Sequence, residues 1–152
     1  MKMNLPIAHG RRIGFDYGLK RIGVATSDFE SILVSPHATI NNDNDLPLKI
    51  QDILNDVKPV YIVVGDPKHL SGADGSKSQE AVGFASLLRT LYAGPIYLVD
   101  ERLSTQISYS QMRNVGKSSR DSKRVIDQIA AVNILEAALL NEKSNSYIGR
   151  VF

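Results

Sequence analysis

The sequence predicts an α/β domain: a mixed five-stranded sheet with helices on both faces. The sheet combines an antiparallel three-strand meander with two parallel strands. Three observations predict it. Three short strand candidates follow one another closely between residues 11 and 40, the middle one alternating with period two. After residue 45 the apolar residues switch to helical spacing, and short continuous apolar runs separate the helices. The resulting order, three strands and then alternating helices and strands, implies parallel pairing through right-handed crossovers.

Arg11–Asp16 is a short strand, and Tyr17-Gly18-Leu19-Lys20 is a turn because Gly18 takes positive φ at little cost. In Arg21–Ser27, Ile22, Val24 and Thr26 alternate with Arg21, Gly23 and Ala25, which predicts a second strand. Ile32–Ile40 is a third, and Pro36 assigns it to a sheet edge. Ile50, Ile53, Leu54 and Val57 mark one face of a helix that stops before Pro59. Val60–Val64 is a strand buried on both faces, followed by a glycine-rich loop from Gly65 to Gly75. Ala81, Phe84, Ala85, Leu88, Leu91 and Tyr92 form the stripe of the next helix, which Gly94-Pro95 ends. Ile96–Val99 is the fifth strand. A weaker helix follows over about Ser104 to Arg113, then a basic loop over Asn114–Ser122 and a final helix over Lys123–Asn141. Residues 1–10 read as an N-terminal extension, 11–141 as one domain and 142–152 as a tail.

A chain of 152 residues supports one domain and excludes folds needing two full lobes. About two-thirds of its surface can be buried, enough for one sizeable core. With no cysteine, disulfides, thiolate metal sites, iron–sulfur clusters and cysteine nucleophiles are excluded. No secretory signal or membrane span is expected, since Asn133 and Glu136 interrupt the longest apolar stretch. A cytoplasmic location follows as the default expectation. The net charge of +2 is too small to argue a polyanionic partner by itself, so the distribution of charge decides.

Three acids stand where acids are costly. Asp16 closes the first strand, where a turn-initiating role is the ordinary alternative. Glu101 follows the buried strand ending Val99-Asp100. Alternation turns Asp100 and Glu101 to opposite faces, and helix-start acids are the ordinary alternative. Asp127 borders the packed face of the last helix, beside the small Ala130 and Ala131. There it either meets the sheet or pairs outward with Lys123 or Arg124. Strand ends at the carboxyl edge of a parallel sheet are where ligand chemistry gathers. Three carboxylates brought together repel unless cations lie between them, and an all-oxygen donor set points to Mg²⁺ or Mn²⁺. Paired ions of this kind cleave phosphodiesters. Asp66 ends another strand and is a candidate fourth carboxylate, with a turn role the more ordinary reading.

The cations are clustered. Arg113–Arg124 holds Arg113, Lys117, Arg120, Lys123 and Arg124 against the single acid Asp121. Arg11, Arg12, Lys20 and Arg21 form a second group, the Gly65–Gly75 loop adds Lys68 with Lys77 just beyond, and Arg102 follows Glu101. Any one run is ordinarily a solvated face. Beside an acidic site, the set matches a phosphate backbone. The nucleic-acid-binding candidates are Lys20, Arg21, Lys68, Arg102, Lys117, Arg120 and Arg124.

Gly14-Phe15-Asp16-Tyr17-Gly18-Leu19-Lys20-Arg21-Ile22-Gly23-Val24-Ala25 resembles the G-x-D-x-G-x-K-R-I-G-V-A signature of the YqgF family. Three more blocks match in family order: Val63–Pro67 with Gly72 and Gly75, Val99–Thr105, and Asp127–Ala131 with Ile134-Leu135. Together they span about residues 11–140. The family comprises ribonuclease H-like proteins described as Holliday junction resolvases and as nucleases for precursor 16S ribosomal RNA. The resemblance implies a ribonuclease H-like fold, with Asp16, Glu101 and Asp127 as catalytic metal-binding carboxylates. It also implies precursor ribosomal RNA as partner, with branched DNA the alternative. Three positions depart from the pattern: Asp66 where the family usually carries Leu, Ser71 where an acid is frequent, and Ser104 in place of Thr.

Two other classes fit part of the sequence. Actin-like and sugar-kinase-like ATPases share the opening G-x-D-x-G but need a second lobe. A non-catalytic RNA-binding assembly factor on the same fold would not need the three acids. The sequence carries no signal for oligomeric state.

Overall fold

The computed structural model describes residues 9–66, 76–100, 119–144 and 147–152. Among them lie six strands and three helices: β1 Arg12–Asp16, β2 Arg21–Ser27, β3 Val34–Asn41, α1 Leu46–Val57, β4 Tyr61–Asp66, α2 Ser76–Leu91, β5 Ile96–Asp100, α3 Ser119–Lys143 and β6 Arg150–Val151. One sheet holds all six strands in the order β3-β2-β1-β4-β5-β6. β1–β2 and β2–β3 are antiparallel, and β1–β4 and β4–β5 are parallel. The meander and both parallel strands therefore lie as the sequence predicts. The weaker helix expected at Ser104–Arg113 falls outside the described residues.

The sheet has six strands rather than five. The sixth comes from the segment read as a tail: Arg150 and Val151 pair antiparallel with Leu98 and Tyr97. The Phe152 amide donates to the Ile96 carbonyl at 2.9 Å, and its ring packs against the main core. β3 takes the outer edge, as Pro36 requires. Its register on β2 jumps from Ala38 to Pro36, so His37 is the bulged residue. α1 starts a turn earlier than its apolar stripe, with Pro47 in the first turn, where a missing N–H costs nothing. It ends on Lys58 in the left-handed conformation, just before Pro59.

Alternation along the strands divides the apolar residues between two cores. Ile13, Phe15, Ile22, Val24, Ile62, Val64, Ile96 and Leu98 face α1 and α2. Ala25, Tyr61, Val63 and Val99 face α3, through Ala131, Ile134, Leu135 and Ala138. α3 lies close to the sheet because Gly14 offers no side chain: a Cβ there would sit 2.8 Å from Leu135 Cβ.

Candidate active site

Asp16 ends β1 at the carboxyl edge of the parallel strands. Ile13 and Phe15 face α1 and α2, so Gly14 and Asp16 belong to the α3 face. On that face Asp16 lies directly opposite Gly23 of β2. Gly23 in turn lies under α3, where a Cβ would come within 1.9 Å of the Asp127 carbonyl oxygen and 3.1 Å of Asp127 Cβ. Opposed antiparallel residues hold their Cβ positions about 4.5–5.5 Å apart. The Asp16 and Asp127 Cβ atoms are therefore within about 9 Å of each other, on one face of the sheet. Two of the three expected carboxylates thus converge. Glu101 lies outside the described residues, and among those described no three His, Asp or Glu side chains are grouped to hold a metal.

Asp127 does not pair with Lys123 or Arg124. Its partner is Arg21, two residues before Gly23 on the same face of β2: Arg21 Nε donates to Asp127 Oδ2 at 2.8 Å. The pair is partly shielded, with side chains 28% and 19% exposed. Helical spacing placed Asp127 beside the packed face. The partner was hidden because it lies 106 residues away in sequence.

The basic residues divide by role. Lys20 and Lys123 are exposed at this end of the molecule. Arg124 is engaged with the edge strand: it donates to the Thr39 carbonyl at 3.2 Å and to Asn41 Oδ1 at 3.1 Å. Thr39 Oγ1 returns a 2.7 Å bond to the Arg124 carbonyl and accepts one from Gln128. Arg12, grouped by sequence with the surface cations, is completely buried and bound to Glu142 at 2.8 Å. Arg11 donates to the Ser27 carbonyl and to Thr26 Oγ1. Lys68, Arg102 and Lys117 lie outside the described residues, as does the side chain of Arg120.

Asp66 closes a strand, as the sequence predicts, and the residues of any turn after it lie outside those described. It is the last residue of β4, 5% exposed, and in register with Asp100 of β5. Ile62 and Val64 place it on the α2 face, opposite to Asp16. Ser78 Oγ of α2 donates to its Oδ1 at 2.8 Å, and Arg150 Nη2 of β6 lies 3.7 Å from Oδ2. Sequence reasoning missed Ser78 and Arg150, since neither carries a local signal. Gly23 did carry one: a glycine inside an alternating strand marks a close backbone approach.

The model of the RuvX family, described as Holliday junction resolvase, matches residues 10–141. A protein of Leifsonia xyli subsp. xyli named "Putative pre-16S rRNA nuclease" is 40% identical over 139 residues, 90% of each chain. One of the same name from Mycobacteroides abscessus is 39% identical over 131 residues, covering 84% of this chain and 79% of its own. Among solved structures, T. thermophilus RuvC in complex with Holliday junction substrate matches with a TM-score of 0.59 at 13% identity, over 95% of this chain and all of that one. A further Thermus thermophilus RuvC structure gives 0.57 at 11% identity, over 93% and 99%. At such identities the likeness is one of fold, and that fold is ribonuclease H-like. The chain belongs to the RuvX family, the YqgF family that its four sequence blocks resemble.

Proposed function

We propose that this protein is a divalent-metal-dependent endonuclease that hydrolyses phosphodiester bonds in precursor 16S ribosomal RNA, in the cytoplasm. The observation that carries the reading is the convergence of Asp16 and Asp127 across Gly23 at the carboxyl edge of the sheet. The names of the curated relatives support the substrate. No helix among the described residues is long and apolar enough to cross a membrane.

The donor chemistry fits Mg²⁺ or Mn²⁺. Asp16 and Asp127 offer hard carboxylate oxygens, no thiolate exists in the chain, and Asp127 commits only Oδ2 to Arg21. Asp16, Asp127 and, from the sequence resemblance, Glu101 would hold the ion. Bound there, it would supply Lewis-acid polarisation of the phosphodiester and acidify an attacking water. The rest falls to the chain's own groups. Gly23 fixes how closely α3, and with it Asp127, approaches β2 opposite Asp16. Arg124, Thr39 and Gln128 fix the same helix against the edge strand. Lys20 and Lys123 offer exposed positive charge to a polyanion beside the carboxylates.

The family description supports a second reading, cleavage of a four-way DNA junction. One experiment separates them: purified protein with Mg²⁺ or Mn²⁺, offered precursor 16S rRNA and a four-way junction side by side. Cleavage of the RNA, abolished in Asp16→Asn, Glu101→Gln and Asp127→Asn, is the expected result. Cleavage of the junction alone selects the second reading. Binding without turnover of either identifies an assembly factor.

A further inference from the structure

The ion pair between Arg21 and Asp127 has a feature that a purely structural bridge does not need. Arg21 uses only Nε on the carboxylate, and its Nη1 and Nη2 donate no hydrogen bond among the described residues. The Arg21 side chain is partly open to solvent, at 28% exposure, and no described residue occupies its outer fork, whose two N–H edges match a phosphate in bidentate geometry. A cation already sits 2.8 Å from one oxygen of a carboxylate read as a metal ligand. That cation repels an incoming divalent ion and removes one of the oxygens the ion could use. Mg²⁺ is commonly held by one or two carboxylates completed by substrate phosphates.

We propose that Arg21 couples metal binding to nucleic-acid binding: it weakens the ion's hold while no nucleic acid is bound and strengthens the hold on a phosphate. A phosphate drawn to the Nη fork neutralises Arg21, restores net negative charge at the site and supplies oxygens to the ion. Coupling of this kind is reciprocal, so the ion and the nucleic acid each tighten the other. The proposal rests on Asp16 and Asp127 being metal ligands.

The test measures Mn²⁺ affinity by calorimetry without nucleic acid, and binding of a precursor 16S rRNA fragment across a salt series without metal. Arg21→Gln should bind Mn²⁺ roughly three- to tenfold more tightly than wild type. It should bind the RNA more weakly, with the log–log salt slope reduced by about 0.7–0.9. Arg21→Lys keeps the charge but not the fork, so its Mn²⁺ affinity should stay near wild type while RNA binding falls. Opposite signs for the two ligands are the signature, because a merely structural bridge would lower the melting temperature and shift both affinities the same way. Weaker or unchanged Mn²⁺ binding in Arg21→Gln overturns the proposal. If that variant does not fold, loss of Mn²⁺ binding or unaltered RNA binding in Arg21→Lys does so. Asp16→Asn and Asp127→Asn distinguish the two failures: if both retain wild-type Mn²⁺ affinity, the metal-site reading itself is wrong.

Discussion

Gly23 leaves the place of its side chain to the backbone of Asp127: a Cβ on Gly23 would lie 1.9 Å from that carbonyl oxygen. The neighbour is helix backbone, which cannot rotate aside, so Gly23→Ala must push α3 off the sheet. Overpacking of this sort costs about 1–3 kcal/mol, or more where backbone must move. The displaced element carries Asp127, so cleavage should fall further than the loss of folded protein explains. Gly83→Ala is the control. It lies exposed in α2 with nothing within 4 Å of the added Cβ, and should stabilise by roughly 0.5–1 kcal/mol. Urea melts and turnover of both variants check this, and a Gly23→Ala enzyme with full activity would count against the close approach as a determinant of the site.

Arg12 and Glu142 tie the far end of α3 to the start of β1. The guanidinium is fully buried, meets both carboxylate oxygens at 3.3 and 2.8 Å, and lies 5.2 Å from the Tyr61 ring centroid. It also donates to the Gly10 carbonyl, and Tyr61 Oη donates to Glu142 Oε1 at 2.8 Å. Removing one partner strands a buried charge. Glu142→Ala should therefore cost about 3–5 kcal/mol in denaturant unfolding, while Arg12→Met with Glu142→Leu should recover most of that loss. A single-variant loss below about 1 kcal/mol would show the pair to be solvated.

The elements legible in the sequence were those whose burial pattern is local. β2 alternates, β4 is a continuous apolar run, and α2 and α3 carry stripes that the two cores absorb. Asp16 was legible for the same reason, as a strand end before a turn. β6 was not legible: Arg150 and Val151 have no period of their own and become a strand only because β5 offers an open edge. The partner of Asp127 was hidden likewise, since helix spacing finds Lys123 and Arg124 and says nothing of a strand 106 residues away. Arg12 misled because a basic pair before a strand looks like surface charge. Only the register of α3 on β1 shows that the second arginine points inward.

Two tyrosines make the fold sensitive to alkali. Burial, and then the neighbouring Glu142 carboxylate, push the Tyr61 phenol far above its ordinary value of 10.0. Burial pushes Tyr92 up to about 12, where its hydroxyl donates to the Pro59 carbonyl at 2.8 Å. A raised acid pKa means the folded state keeps its proton after the unfolded state has lost it. The stabilisation is complete below pH 10 and declines as pH rises above it, through about 12 for Tyr92. Unfolding free energy measured from pH 8 to 11.5 should fall along this limb. Tyr92→Phe should flatten it, and an identical slope in that variant would contradict the assignment.

The surroundings of Asp66 show how a carboxylate is accommodated at the buried end of β4. Ser78 supplies a hydrogen bond and Arg150 a cation from the last strand, both on the α2 face. Asp66→Leu removes a buried carboxylate and places an apolar side chain where Val64 and Leu98 already pack. Arg150, 53% exposed, can return to solvent, and a pair at 3.7 Å is worth about 0–1 kcal/mol. Unfolding free energy should change by no more than about 1 kcal/mol. The local effect should be larger, because Arg150 helps seat β6. The Phe152 amide, bonded to Ile96 at 2.9 Å, should exchange faster with solvent deuterium. Asp16 and Asp127 occupy the other face, so Mg²⁺-dependent stabilisation should persist undiminished in Asp66→Leu and vanish in Asp16→Asn. Loss of the metal response in Asp66→Leu would instead place this carboxylate among the ligands, reached around the end of β4 rather than across its face.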